Sequence, residues 1–130
     1  MDHRLFAEAS AAMERAYAPY SKFQVGAAIL AEDGKVYSGC NVENAAYPEG
    51  SCAETAAIAS MVRAGARQIR EIVVMGRGAE LCTPCGGCRQ RIREFAAAET
   101  KVHVCGPEGL RRTFTRDELL PSSFGPENLP

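Results

Sequence analysis

Gln24-Val25-Gly26-Ala27-Ala28-Ile29-Leu30-Ala31-Glu32-Asp33-Gly34-Lys35-Val36-Tyr37-Ser38-Gly39-Cys40 is the stretch from which the fold is read. An apolar run reaches Ala31, Asp33-Gly34 supplies a tight-turn pair, and a second run follows from Val36 to Cys40. That pattern predicts two antiparallel strands joined as a hairpin. On the N-terminal side, Phe6, Ala9, Met13 and Tyr17 recur at helical spacing over residues 3–17, and Pro19 closes that helix. On the C-terminal side, Asn41 to Gly50 carries Asn, Pro and Gly and reads as a loop. Ser51 is placed to cap a second helix running to about Ala64, with Gly65 as its stop.

Farther out, Glu71 to Met75 is a short buried strand, and Thr83 before Pro84 opens a third helix expected to reach about Ala98. Lys101 to Cys105 and Leu110 to Phe114 are strands joined by the Gly106–Gly109 turn. Thr115-Arg116-Asp117-Glu118 has the form of a capping box opening one helical turn before Pro121. The order of elements predicts one α/β domain over residues 1–130, with a sheet of about five strands and helices packed on its faces. A length of 130 residues suffices for one real core and not for two.

Composition narrows the function. The chain is 46% apolar and 24% charged with a formal net charge of −1, and its basic residues are scattered. No footprint for nucleic acid is present; the densest cluster, Arg89, Arg91 and Arg93, reads as the solvated face of a helix. No apolar run reaches the ~18 residues that would span a bilayer. Met1-Asp2-His3-Arg4 opens an amphipathic stretch rather than a signal peptide, so a cytoplasmic address is expected. In a reducing compartment the six cysteines are read as ligands or small buried hydrophobes, not disulfides.

Three of them fall at helix starts. Cys52 lies in the first turn of the second helix, and Cys85 and Cys88 share a face in the first turn of the third. Free N–H groups and a partial positive charge there lower a thiol's pKa, and thiolates bind metal. Two helix starts brought together could present three thiolates to one zinc and leave the fourth position for water. Glu54, two residues after Cys52, is then placed to move protons. Plainer readings compete. Ser51 and Glu54 form a capping box; Cys85-Gly86-Gly87-Cys88 alone suits a structural zinc half-site or a redox pair; Cys82, Cys85 and Cys88 together suit a four-thiolate zinc site with Cys52 or part of an iron–sulfur motif. Spacing leaves these open. Cys40, Cys82 and Cys105 are expected to be buried packing residues on or near strands.

Cys52-Ala53-Glu54, followed by Pro84-Cys85-Gly86-Gly87-Cys88-Arg89-Gln90, resembles the signature of the cytidine deaminases. Tyr20 to Ala28, Asn41 to Pro48 and Leu119 to Pro126 are similar to further segments of that family, so the resemblance covers nearly the whole chain. It implies a three-layer α/β/α fold with a mixed sheet and helices on both faces. It implies one zinc per chain on Cys52, Cys85 and Cys88, with Glu54 as proton shuttle in hydrolytic deamination at C4 of cytidine or deoxycytidine. It also implies a substrate site in which Asn41 and Glu43 hold the ribose hydroxyls, Phe23 packs on the pyrimidine and the Ala53 backbone contacts the base. Tyr47 is drawn into the same site, and Phe124 reaches into a neighbouring subunit of a homotetramer. Read as residues alone, Asn41 and Glu43 are turn-formers and Phe23 is a strand-edge core residue.

One position departs from the family pattern. Relatives commonly carry Arg directly after the catalytic Glu; here it is Thr55. Three thiolates and one Zn²⁺ leave an excess negative charge, and the two helix N-termini or Arg89 are the candidates to offset it. A related deaminase of a nucleoside antibiotic, a nucleic-acid editor and a structural metal protein are the rival functions. The Asn41–Asn44 segment suits a ribose better than the first, and the lack of a basic surface argues against the second.

Overall fold

A computed structural model describes all residues, Met1–Pro130. The expected hairpin forms β1, Val25–Ala31, and β2, Val36–Cys40, paired antiparallel with Gly26 opposite Cys40 and Leu30 opposite Val36. β3, Ile69–Gly76, runs antiparallel to β1 and parallel to β4, Ala96–Gly106; β5, Gly109–Thr115, returns antiparallel to β4. The sheet is five-stranded and mixed, in the order β2-β1-β3-β4-β5.

Both faces of the central strands are covered, which is why β1 and β3 read as near-continuous apolar runs. On one face, α1 (His3–Glu14) lays Leu5, Ala9 and Met13 over Ala28, Val73, Met75 and Cys105. On the other, α2 (Ala53–Arg63) and α3 (Gly86–Phe95) cover a larger core that includes Ala27, Ile29, Ile72, Val74 and Val102. The short α4, Arg116–Leu119, adds Leu119 to that face and is capped as expected, Thr115 and Glu118 bonding reciprocally. The three-layer arrangement with helices on both faces is therefore the observed one.

Two glycines set how closely the layers approach. A Cβ on Gly26 would stand 2.1 Å from the Ala9 carbonyl oxygen of α1, and one on Gly39 would stand 2.5 Å from the Ala57 nitrogen of α2. Without side chains at 26 and 39, each helix rests almost directly on the sheet.

Three expected boundaries differ. The first helix ends at Glu14, not Tyr17; the Tyr17 backbone instead bonds to Asn41 and Glu43, strapping residues 15–24 against the loop after β2. The third helix ends at Phe95 rather than about Ala98, and β4 begins at once with Ala96, because pairing with β3 overrides the strong helical preference of Ala96-Ala97-Ala98. Ser51 does not cap α2: it bridges Val42, and Cys52 takes the N-cap position with no side-chain capping bond.

Candidate active site

The parallel pair β3–β4 sets the location. Gly76 at the end of β3 lies beside Val25 at the start of β1, and Gly26 beside Cys40 at the end of β2. The chain leaves β2 and β3 at this edge, and α2 and α3 both begin there with Cys52 and Cys85 as their N-caps. Crevices outside the carboxyl ends of parallel strands are where α/β sheets bind ligands.

The two helix starts bring three sulfurs together. The Sγ atoms of Cys52, Cys85 and Cys88 all lie within 4.8 Å of one another, and those of Cys52 and Cys85 are 3.9 Å apart. A tetrahedral zinc with Zn–S bonds of about 2.3 Å needs sulfurs about 3.8 Å apart, so the donor set fits after a small contraction. Cys82 stands outside this group. Its thiol is half-buried and pushed up to about 11 by burial.

The thiols do not share one electrostatic fate. The backbone N–H of Cys88 lowers the pKa of Cys85, as a helix start should. Burial raises Cys52 and, more strongly, Cys88, whose side chain has no solvent contact. The expectation that helix starts favour all three thiolates therefore holds at Cys85 alone. At the other two, desolvation outweighs the helix dipole.

Glu54 is only 4% exposed, and burial raises its pKa against smaller lowerings from its own backbone N–H and, less, from the charge of Arg91. With Cys52 as N-cap, Glu54 is the second residue of α2, not the third, so the capping-box geometry is not met. Glu54, Cys52 and Cys85 line a cleft of about 310 Å³ together with Val25, Asn41, Glu43 and Cys82. The volume is at the small-ligand end of the usual range.

The remaining expected residues surround it unevenly. Asn41 lines the cleft, but its Oδ1 accepts from Val25 N at 2.8 Å and its Nδ2 donates to Phe23 O at 2.9 Å. Glu43 accepts from the backbone N–H groups of Tyr20 and Ser21 and from the Ser21 hydroxyl, which lowers its pKa. Both side chains thus hold the strap of residues 20–25 in place and still border the cleft. Phe23 is 41% exposed, lies against Gly76 and Gly78, and is not among the residues that line the cleft. Ala53 is fully buried at the start of α2.

Tyr47 does not line this cleft. It stacks edge-on against Tyr20 over an adjoining cavity of about 360 Å³ that shares Glu43 and Gly50 with the first. Phe124 is 57% exposed and lines neither cavity, while its carbonyl accepts from Gln90 Nε2.

Arg89, a candidate to offset the thiolate charge, is spent elsewhere. Its guanidinium donates to Pro84 O, Leu119 O and Thr83 Oγ1, clamping the loop before α3 to α4. The groups that reach a sulfur are Thr55 Oγ1 and Arg91 Nη1, at 3.8 and 3.7 Å from Cys88 Sγ. Arg91 was read from the sequence as solvated helix surface. Its position three residues after Cys88, on the same face of α3, is the signal that could have found it.

Three thiols converging at two helix starts, beside a buried carboxylate in a cleft, are the donor set and acid–base partner that a metal-dependent hydrolytic site requires. The comparisons agree. Residues 1–104 match the family model described as the cytidine and deoxycytidylate deaminase zinc-binding region. The chain is 44% identical to the cytidine deaminase of Sporosarcina psychrophila, over 97% of this chain and 93% of that protein. It is 42% identical to that of Halalkalibacterium halodurans, over 96% and 95%. It superposes on the crystal structure of cytidine deaminase from Burkholderia pseudomallei with a TM-score of 0.89 at 43% identity, covering 95% of this chain and 99% of that one. The chain therefore belongs to the cytidine and deoxycytidylate deaminase family and is an enzyme of that family.

Proposed function

We propose that the chain catalyses hydrolytic deamination of cytidine and deoxycytidine to uridine and deoxyuridine with release of ammonia, as one catalytic domain over residues 1–130. The observation that carries this reading is the convergence of the Cys52, Cys85 and Cys88 sulfurs beside buried Glu54 in a cleft of about 310 Å³. Cys52, Cys85 and Cys88 would hold one zinc per chain, which when bound would make a water at the site acidic enough to react near neutral pH.

The side chains do the rest. Glu54, its proton affinity raised by burial, takes the proton of the attacking water and passes it to N3 of the ring. It then takes the proton of the new C4 hydroxyl and passes it to the amine, so that the C4–N bond breaks, C4=O forms and ammonia departs. Asn41 and Glu43, oriented by their bonds to the 20–25 strap, face the ribose hydroxyls: Asn41 retains a free amide N–H and Glu43 free acceptor positions. Phe23 walls one side against the pyrimidine, the Ala53 backbone meets the base, and Tyr47 closes the outer rim.

The substrate is a small nucleoside rather than nucleic acid, in keeping with the scattered basic residues, and no helix is long and apolar enough to cross a membrane. A cytoplasmic role in pyrimidine salvage and a homotetramer whose sites borrow Phe124 from a neighbour complete the proposal. The β4–β5 hairpin, antiparallel through the Gly106–Gly109 turn, supports the nucleoside reading over an editor with a helix inserted before a parallel strand.

The test is absorbance loss near the cytosine maximum when purified zinc-loaded protein meets cytidine or deoxycytidine. Glu54→Gln, which keeps the shape and cannot shuttle protons, should fold and hold zinc while turnover falls at least about 10²-fold. No conversion of either nucleoside by wild type, or wild-type turnover in Glu54→Gln, defeats the reading.

A further inference from the structure

Cys88 is the most enclosed of the three thiols, and two groups on different helices reach its sulfur: the Thr55 hydroxyl from α2 and the Arg91 guanidinium from α3. Arg91 sits one turn after Cys88 and folds back along its own helix toward the N-terminus. It passes close over Gly87: a Cβ at residue 87 would stand 3.1 Å from Arg91 Nη1, a tight approach, and in ordinary contact with Cζ at 3.8 Å and Nη2 at 4.0 Å. The neighbouring arginines are engaged otherwise. Arg89 holds backbone carbonyls of Pro84 and Leu119, and Arg93 holds Ser123 and Glu127. For Arg91, the Cys88 sulfur is the hydrogen-bonding partner.

Charge arithmetic gives this contact a role. Three protonated thiols are neutral, whereas three thiolates around a divalent cation carry a net charge of −1. Loading the site therefore makes it more negative, and a fixed cation beside one sulfur favours the loaded state. A hydrogen bond from a charged donor also withdraws electron density from the sulfur that accepts it. Thr55 contributes a neutral hydroxyl at the same sulfur and no charge.

We propose that Arg91 is the charge-balancing residue of the metal centre: its guanidinium, laid over Gly87, donates to Cys88 Sγ and supplies from α3 the positive charge that position 55 on α2 lacks. It acts through the sulfur and is a positioning residue, not a catalytic one. The inference rests on the reading of Cys52, Cys85 and Cys88 as metal ligands.

The experiment replaces zinc by cobalt and reads the sulfur-to-cobalt charge-transfer band, together with zinc retention against a competing chelator. Arg91→Met removes both charge and donor. It should move the band to lower energy and weaken zinc retention about tenfold, the low end for a charged hydrogen bond because Arg91 is solvent-exposed. Arg91→Lys should recover part of both changes. Thr55→Arg placed on the Arg91→Met background should recover them from the other helix, since residue 55 already reaches the same sulfur. A merely structural loss would lower the melting temperature without moving the band. If wild type shows no thiolate-to-cobalt band, the ligand reading fails and the inference falls with it. If wild type shows the band, and Arg91→Met matches it in both band energy and zinc retention, the ligands stand and the role of Arg91 is overturned.

Discussion

Cys82, Cys85 and Cys88 are evenly spaced along the chain, yet Cys82 is left out of the sulfur cluster. The difference lies in the backbone. Cys85 and Cys88 belong to the first turn of α3, whereas Cys82 sits in the preceding loop with its side chain against Gly76 at the end of β3. Of the three cysteines expected to be plain packing residues, Cys105 is buried beneath α1, Cys40 is half-buried at the end of β2, and Cys82 borders the cleft. Cys88→Ala should therefore lose zinc and activity together, while Cys82→Ser should keep one zinc per chain by metal analysis. Loss of metal in the second variant, or its retention in the first, would return Cys82 to the ligand set. Asn41 shows a different lesson. Its turn-forming role and its place at the cleft are both present, because the amide bonds that hold Phe23 and Val25 are what aim it.

At the scale of elements, the position of α2 on the sheet controls the site. The contact at Gly39 is with Ala53, Ala56 and Ala57, in the same first turns that carry Cys52 and Glu54. Gly39→Ala should push α2 outward at a cost of about 1–3 kcal/mol, the range for overpacking. Zinc retention should fall with it, although residue 39 touches no ligand; denaturant unfolding and metal analysis on the same sample read both. The far end of the hairpin is tied differently. The Glu32 carboxylate accepts from the backbone N–H groups of Arg67 at 2.8 Å and Gln68 at 2.6 Å, joining the β1–β2 turn to the loop before β3. The Arg67 bond is the main reason its pKa is lowered. A lowered carboxylate stabilises the fold above its unfolded value of about 4.3, and that contribution fades as pH falls through the folded value. The melting-temperature gap between wild type and Glu32→Gln should be constant at neutral pH and close in acid. A gap that widens in acid would contradict the assignment.

At the scale of the whole molecule, one sheet with four helices leaves Tyr47 and Phe124 as large exposed aromatics outside the cleft. Truncation before Ser122 tests whether Phe124 covers a neighbouring subunit's substrate. The truncated chain should stay folded and keep zinc while substrate binding weakens sharply. Mixing it with folded Glu54→Gln chains under subunit exchange should restore activity, since each partner supplies what the other lacks. Full activity in a monomer by light scattering would defeat the shared-site proposal.

The hairpin, the apolar strand β3, the C-terminal capping box and the placing of thiols at two helix starts were readable in the sequence, although Cys52 and Cys85, not Ser51 and Thr83, take the N-cap positions. Their signals are local: a turn pair, an unbroken apolar run, a cap, a Pro before a helix. Helix ends at Glu14 and Phe95 were not readable, because strand pairing with distant residues stops those helices before any breaker does. The sequence likewise placed a carboxylate beside a cysteine without deciding whether it caps a helix or faces a cleft. That followed only when the bridge of Ser51 to Val42 moved the cap to Cys52 and left Glu54 buried in the cleft that Cys52 and Cys85 also line. The choice of Arg91 over Arg89 also belongs to the tertiary structure. Both lie near Cys88 along α3, and it is the carbonyls of Pro84 and Leu119 that claim one guanidinium while the other folds over Gly87 to the sulfur.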